Sequence, residues 1–252
     1  MNRSFGRVLV ALSILASGCG EAWPVDEELG EAQEALALFA FNANATSNAT
    51  VNTANLNFNI SPNRAVMIGT TGIVGASASG DTYLRLFSLD SGTPVEVAAA
   101  NDGPGGSMSA QIRYTAPPTG WSFQVRAGCD GNSACSGVVA IARNRSLFAY
   151  SASNTSYAAA NTTDRYVYFN AGETISFGTC PSVLYGARRT GQTYLRLYDR
   201  NGVQVATDSA EIQGCSEMPK TTHVAALSDY YLVRAGCVGN LSCSGTVAVY
   251  AE

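Results

Sequence analysis

The sequence predicts an all-β protein, a sandwich or barrel architecture built from one module written twice. Three observations carry that prediction. The 252-residue chain repeats itself at an offset of 108–111 residues, and a fixed internal period marks duplicated architecture. Apolar residues inside the repeated segments alternate with period two, the signature of half-buried strands rather than helices. Clusters of Gly, Asn, Ser and Asp break the runs at short intervals, where turns belong.

The repeat is read directly. GDTYLRLFSL at 80–89 returns as GQTYLRLYDR at 191–200. RAGCDGNSACSGVVAI at 126–141 returns as RAGCVGNLSCSGTVAV at 234–249, with 11 of 16 positions identical. LFAF at 38–41 matches LFAY at 147–150, and Gly69-Thr70 matches Gly178-Thr179. The copies run over 36–143 and 144–252. Each has about 105 residues, close to the usual size of a β-sandwich domain, and the join at Arg143-Asn144-Arg145 is short.

Within each copy the alternation assigns faces. Phe123, Val125 and Ala127 point to a core, as do Tyr231, Val233 and Ala235 in the same register of the second copy. Leu84 and Leu86 point inward, so Tyr83 and Arg85 point to the opposite face. Tyr194 and Arg196 occupy the equivalent places. Arg126 and Arg234 lie opposite the core face of their own strands. Only residues 27–36 read as a short helix.

Composition sets the compartment. Charged residues are 13% and hydrophobic residues 46%, enough to bury a core. The net charge of −4 argues against nucleic acid, which needs a basic surface. Arg3 and Arg7 precede an apolar stretch at 8–16, too short for the roughly 20 residues that span a bilayer and matched to an export signal. Leu15-Ala16-Ser17-Gly18-Cys19 resembles the lipobox of bacterial lipoproteins. That resemblance implies cleavage before Cys19, its lipidation and an outer-membrane or cell-surface location. Ordinary signal cleavage, with secretion and an incidental Cys19, is the alternative. Residues 20–35 hold six of the 19 acids and no Lys or Arg, an extended acidic tether.

The ordered pieces G-[DQ]-T-Y-L-R-L, Asn101-Asp102, the segment from Thr119 to Arg126 and Ser136-Gly137-Val138-Val139-Ala140 resemble the bacterial pre-peptidase C-terminal domain. The resemblance covers most of both copies. It implies a jelly-roll-like β-sandwich, hence two tandem β-sandwich domains, of a kind appended to exported enzymes. Some members of that family bind protein or polysaccharide, and some carry calcium. Here Gly103 follows Asp102, the second copy reads Thr207-Asp208-Ser209, and Gln192 replaces Asp81. Those departures argue against calcium, and no other cofactor is expected. No catalytic domain is expected beside the modules.

Seven cysteines sort by the repeat. With Cys19 assigned to lipid, Cys129–Cys135 and Cys237–Cys243 share a C-x5-C spacing at equivalent positions. Cys180 and Cys215 are both missing from the first copy, as a bonded pair would be. The expected disulfides are therefore 129–135, 237–243 and 180–215, in keeping with an oxidising compartment. The spacing does not fit a zinc site, and no metal ligands are expected.

No catalytic residues are expected. His223 is the single histidine and the first copy has no counterpart, so a Ser/His/Asp triad has no repeated base. The acids of the two copies are scattered, mostly in loops, and the second copy does not repeat Asp81 or Asp130. The candidate ligand-binding residues are Tyr83, Arg85, Arg126, Tyr194, Arg196 and Arg234, since Tyr and Arg are enriched at binding hot spots. A structural cross-strand Arg–Tyr stack fits the same residues. The sequence thus points to a non-enzymatic surface lipoprotein that binds extracellular protein or polysaccharide. A coat or spacer without a specific ligand is the alternative.

Overall fold

The structure, a computed structural model, describes residues 37–103, 106–209 and 221–252. Cys19, the tether at 20–35, the helix expected at 27–36 and Cys215 lie outside the described residues, and with Cys215 so does the expected 180–215 disulfide. The described residues of both copies fall in one compact unit.

Among the described residues there are seventeen strands and no helix. The first copy supplies β1 (Ala37–Ala43), β2 (Ala54–Asn59), β3 (Ala65–Gly69), β4 (Ser77–Ser79), β5 (Thr82–Ser88), β6 (Val95–Ala100), β7 (Gln111–Thr115) and β8 (Ser122–Cys129). β9 (Cys135–Ser153) belongs to both copies. The second copy continues with β10 (Thr163–Phe169), β11 (Thr174–Gly178), β12 (Arg188–Thr190), β13 (Thr193–Tyr198), β14 (Gln204–Ser209), β15 (Thr221–Val224), β16 (Asp229–Cys237) and β17 (Ser242–Ala251).

All pairings are antiparallel. A central nine-stranded sheet runs β15-β11-β17-β9-β3-β7, with β1 and β4 also on β9 and β12 also on β17. Two four-stranded outer sheets, β2-β8-β5-β6 and β10-β16-β13-β14, each belong to one copy. The main pairings of the first copy recur in the second: β1 on β9 as β9 on β17, β3 on β9 as β11 on β17, and β5 on β8 as β13 on β16. The all-β sandwich class read from the alternation is what the chain forms.

The alternation also places the cores. Leu84, Leu86, Phe123, Val125 and Ala127 are fully buried in the first core, and Leu195, Leu197, Val233 and Ala235 in the second. These side chains fill the space between an outer sheet and its half of the central sheet, as facing sheets require. Hydroxyl pairs repeat as well. Thr70 Oγ1 meets Thr82 Oγ1 at 2.9 Å, and Thr179 Oγ1 meets Thr193 Oγ1 at 2.9 Å. Both pairs are buried, and in the first copy Ala110 N–H also donates to Thr82 Oγ1 at 2.9 Å, so the polar groups inside are satisfied.

The copies are joined by more than a linker. The short join at 143–145 lies inside β9, so one continuous strand ends the first copy and opens the second. On the far face of the central sheet, Met67, Ala140, Ala142, Ala248 and Tyr250 pack with Ile73 and Leu184 from the equivalent loops after β3 and β11. Polar contacts cross the same seam. Arg113 donates to the carbonyls of Pro181 and Ser182, and Val74 N–H donates to Glu252 Oε2 at 3.0 Å. Beside them, Tyr250 Oη donates to Tyr185 O at 2.9 Å. A buried ion pair, Arg145 with Glu173 at 2.6 Å, sits beside the join.

Buried tyrosines give this fold an alkaline limit. Burial pushes the Tyr150 phenol up to about 12, and burial pushes Tyr250 up as well. In the unfolded chain both ionise near 10. Above that pH the unfolded state has fewer protons than the folded state, so stability falls as pH rises. Each group should remove about 1.4 kcal/mol per pH unit between its two values. Urea unfolding at stepped pH should show the decline beginning near pH 10, and Tyr150→Phe should make it shallower. An unchanged slope in that variant would contradict the assignment.

Candidate functional site

The outer faces of the two outer sheets carry the residues singled out in the sequence. Strand register brings the arginines together. Arg85 on β5 lies directly opposite Arg126 on β8, and Arg196 on β13 lies opposite Arg234 on β16. Arg85 stacks over Tyr83 at 4.9 Å and Arg196 over Tyr194 at 5.2 Å. Arg126 stacks over Phe87 at 4.0 Å and Arg234 over Tyr198 at 5.2 Å. The Tyr83–Arg85 and Tyr194–Arg196 stacks lie within one strand, while the cross-strand stacks use Phe87 and Tyr198 rather than the tyrosines singled out in the sequence.

Like charges directly opposite repel, so these guanidiniums need acceptors. Arg85 Nη1 reaches Glu96 at 2.6 Å and Arg234 Nη2 reaches Asp164 at 3.0 Å. Arg196 donates to Gln204, and Arg126 Nε donates to Gln124 Oε1 at 2.8 Å. The Asp164 carboxylate, through its hydrogen bond, holds the Arg234 guanidinium above its ordinary range.

The other half of the task of Arg85 and Arg196 is local. Ser47, Asn48 and Ala49 all have positive φ, as do Ser156, Tyr157 and Ala158. In each segment a backbone N–H bonds the carbonyl four residues back, Thr50 to Thr46 at 2.9 Å and Ala159 to Thr155 at 2.8 Å. This is one turn of left-handed helix made without glycine, at a cost of roughly 1–2 kcal/mol per residue. Three contacts offset it. Thr46 Oγ1 accepts from Cys129 N at 2.8 Å and donates to Cys129 O at 2.9 Å, and Thr155 does the same with Cys237. Arg85 Nε donates to Asn48 O, and Arg196 Nε to Tyr157 O, both at 2.7 Å. Gly128 and Gly236 let the turn lie flat, since a Cβ there would come within 3.0 Å of Ala49 Cα or 2.9 Å of Ala158 Cα. Arg85 and Arg196 thus fasten a strained turn to the sheet.

The two disulfides expected within single copies are formed, Cys129–Cys135 and Cys237–Cys243. Each closes the turn between the last two long strands of its copy, beside the left-handed turn. Cys180 is buried and its Sγ lies 3.0 Å from Ser182 Oγ. His223 sits on β15 with its ring 6.1 Å from Tyr231. Burial pulls its imidazole below the ordinary value. Among the described residues no three His, Cys, Asp or Glu side chains are grouped to hold a metal ion. An open cleft of about 650 Å³, lined by Ser151, Ser153, Asn154, Asn161, Thr190 and Ser244, lies beside the second disulfide.

The sequence reading missed the residues that distinguish the two faces. On the second outer sheet, register aligns Tyr166, Leu232 and Tyr198 in one row across β10, β16 and β13, with Tyr168 and Tyr230 paired in the next row. On the first outer sheet the same places hold Asn57, Gln124 and Phe87, then Asn59 and Ser122. A search for identities between copies discards such positions. The signal available was the alternation of Asp164, Tyr166 and Tyr168 along one strand.

The chain matches no family model and no curated protein. Among solved structures it is similar to the tandem CBM22-1–CBM22-2 domain of Xyn10C from Paenibacillus barcinonensis, at 10% identity over 86% of this chain and 91% of that one, with a TM-score of 0.28. It is also similar to the conserved protein PA5104 from Pseudomonas aeruginosa, at 10% identity over 86% and 82% of the chains and a TM-score of 0.26. A third likeness, to tripeptidyl peptidase 2, covers 88% of this chain and 23% of that one, at 10% identity and a TM-score of 0.26.

Proposed function

We propose that the protein is an exported, non-enzymatic surface lipoprotein that binds an extracellular polymer, protein or polysaccharide, through an outer-sheet face turned away from the core. The observation that supports this best is the ordering of those faces. Half-buried Tyr and Arg side chains stand in cross-strand register on a sheet whose other face is the core. Such rigid, amphipathic side chains bury contact area at little entropic cost. The export signal, the lipobox-like Cys19 and two disulfides all fit an oxidising cell surface.

The test uses the full chain expressed in a bacterial host and a panel of insoluble polysaccharides and immobilised fibrous proteins. Retention on at least one polymer above an albumin control is the expected result, with Cys19→Ser moving the protein from the membrane to the soluble fraction. No retention on any polymer would overturn the binding reading and leave a coat or spacer. An unchanged membrane fraction in Cys19→Ser would overturn the anchor.

A further inference from the structure

Ten of the 12 tyrosines follow Arg145 in the chain, and the fold gathers five of them on one surface. Tyr166, Tyr168, Tyr194, Tyr198 and Tyr230 all lie on the outer face of β10, β16 and β13, together with Leu232. We propose that this face of the second copy is a stacking platform for a neutral polysaccharide, and that the first copy does not share in the contact. The inference rests on the binding reading above and gives it a ligand class and a location.

Shape comes first. None of the five tyrosines protrudes. All are half-buried, with Arg196 stacked over Tyr194 and Arg234 over Tyr198. Tyr168 and Tyr230 meet edge-to-face at 5.3 Å, and Tyr194 meets Tyr157 the same way at 5.5 Å. Protein partners use protruding aromatic anchors that insert into pockets. A surface of half-buried rings offers ring faces and edges, with Tyr157 as its one exposed aromatic, at the Tyr194 end. It suits the flat, C–H-bearing face of a sugar ring, which stacks on an aromatic quadrupole. Tyr166 and Tyr198 are two strands apart, so about 10 Å, a separation that suits the first and third of three successive sugar rings in an extended chain. Each tyrosine also brings a hydroxyl that can donate and accept, matching sugar hydroxyls at the rim of the stack.

Charge decides between neutral and acidic glycans. Arg234 is paired with Asp164 at 3.0 Å and Arg200 with Asp229 at 2.8 Å. Arg196 is committed to Tyr157 O and Gln204. Two of these cations are ion-paired and Arg196 is held by neutral acceptors, so a carboxylated or sulfated polymer would have to displace an internal partner. A neutral, hydroxyl-rich chain needs no such exchange.

The first copy lacks the platform. Asn57, Gln124 and Phe87 replace the Tyr166–Leu232–Tyr198 row. Gln124 Nε2 donates to Asn57 Oδ1 at 2.9 Å while Gln124 Oε1 accepts from Arg126. The amides there satisfy one another and offer few ring faces.

The experiment uses the full chain with cellulose, chitin and an insoluble β-1,3-glucan as neutral probes, polygalacturonate as an acidic probe and immobilised collagen as a protein probe. The expected result is retention on at least one neutral glycan. Tyr166→Ala with Tyr198→Ala should weaken it by about 100-fold, tenfold per ring, while Phe87→Ala with Asn57→Ala should leave it unchanged. Mapping tyrosine nitration by mass spectrometry in the wild-type protein, with and without the glycan, supplies a readout independent of any variant's folding. Tyr166, Tyr198 and Tyr230 should be protected, and Tyr83 should not. Loss through the first-copy variant, protection at Tyr83, or retention only on polygalacturonate or collagen would overturn this inference while leaving the binding reading intact. Retention on no probe would overturn both.

Discussion

Tyr250→Ala should lower stability by about 3–5 kcal/mol, the cost of emptying a buried aromatic site, and should uncouple the two copies. Tyr250 is fully buried on β17. It does not belong to either sandwich core. It lies in the cluster on the far face of the central sheet, among Met67, Ala140 and Ala142 of the first copy and Leu184 and Ala187 of the second. Its hydroxyl donates to Tyr185 O at 2.9 Å. Truncation would open a cavity on the seam and forfeit that bond together. Tyr250→Phe separates the two effects and should cost only about 1 kcal/mol, the net worth of one hydrogen bond. In calorimetry the wild-type protein should unfold in one transition, because β9 and this cluster tie the halves together. The alanine variant should show two. A single transition at nearly the wild-type temperature would mean that the seam contributes little.

That seam was hard to read in the sequence for a definite reason. Alternation reveals a strand with one buried face. Val66-Met67-Ile68, Val139-Ala140-Ile141 and Val247-Ala248-Val249-Tyr250 are apolar without interruption, because one set of side chains faces a sandwich core and the other faces the cross-copy cluster. Such continuous runs identify strands buried on both sides, but not what covers the second side. The left-handed turns were opaque for the opposite reason. Thr46-Ser47-Asn48-Ala49 and Thr155-Ser156-Tyr157-Ala158 contain no glycine, and Asn48 alone among them is a residue type that favours positive φ. The tertiary bonds from Thr46, Thr155, Arg85 and Arg196 impose the conformation. The same contacts explain why TYLRL and RAGC recur. The first arginine, the glycine and the cysteine of these motifs all meet that turn or the disulfide beside it. Repetition between the copies therefore marks the scaffold. The tyrosine rows of the second outer sheet are not repeated, and a search for likeness between copies passes over them.

The Cys-Ser-Gly triplets at 135–137 and 243–245 give the sharpest test of the repeated scaffold. A Cβ on Gly137 would overlap the carbonyl oxygen of Ser77 and lie 3.0 Å from its carbon. One on Gly245 would overlap the carbonyl oxygen of Arg188 and lie 2.9 Å from its carbon. In both places the obstacle is backbone, on the three-residue strands β4 and β12, which pair directly with β9 and β17 there. No rotamer change can relieve such a contact, so the short strand must leave the sheet. Gly137→Ala and Gly245→Ala should each cost about 3 kcal/mol or more, beyond the usual range for overpacking because backbone must move. Gly92 and Gly202 are suitable controls. They have φ of 77° and 74°, and an added methyl would meet nothing within 4 Å. Gly92→Ala and Gly202→Ala should therefore cost about 1–2 kcal/mol, from conformation alone. The two scaffold substitutions lie in different copies and share no partner, so their effects should add in the double variant. If Gly137→Ala and Gly245→Ala melt no lower than the two turn controls, β4 and β12 do not hold the positions described, and the recurrence of the triplet has another cause.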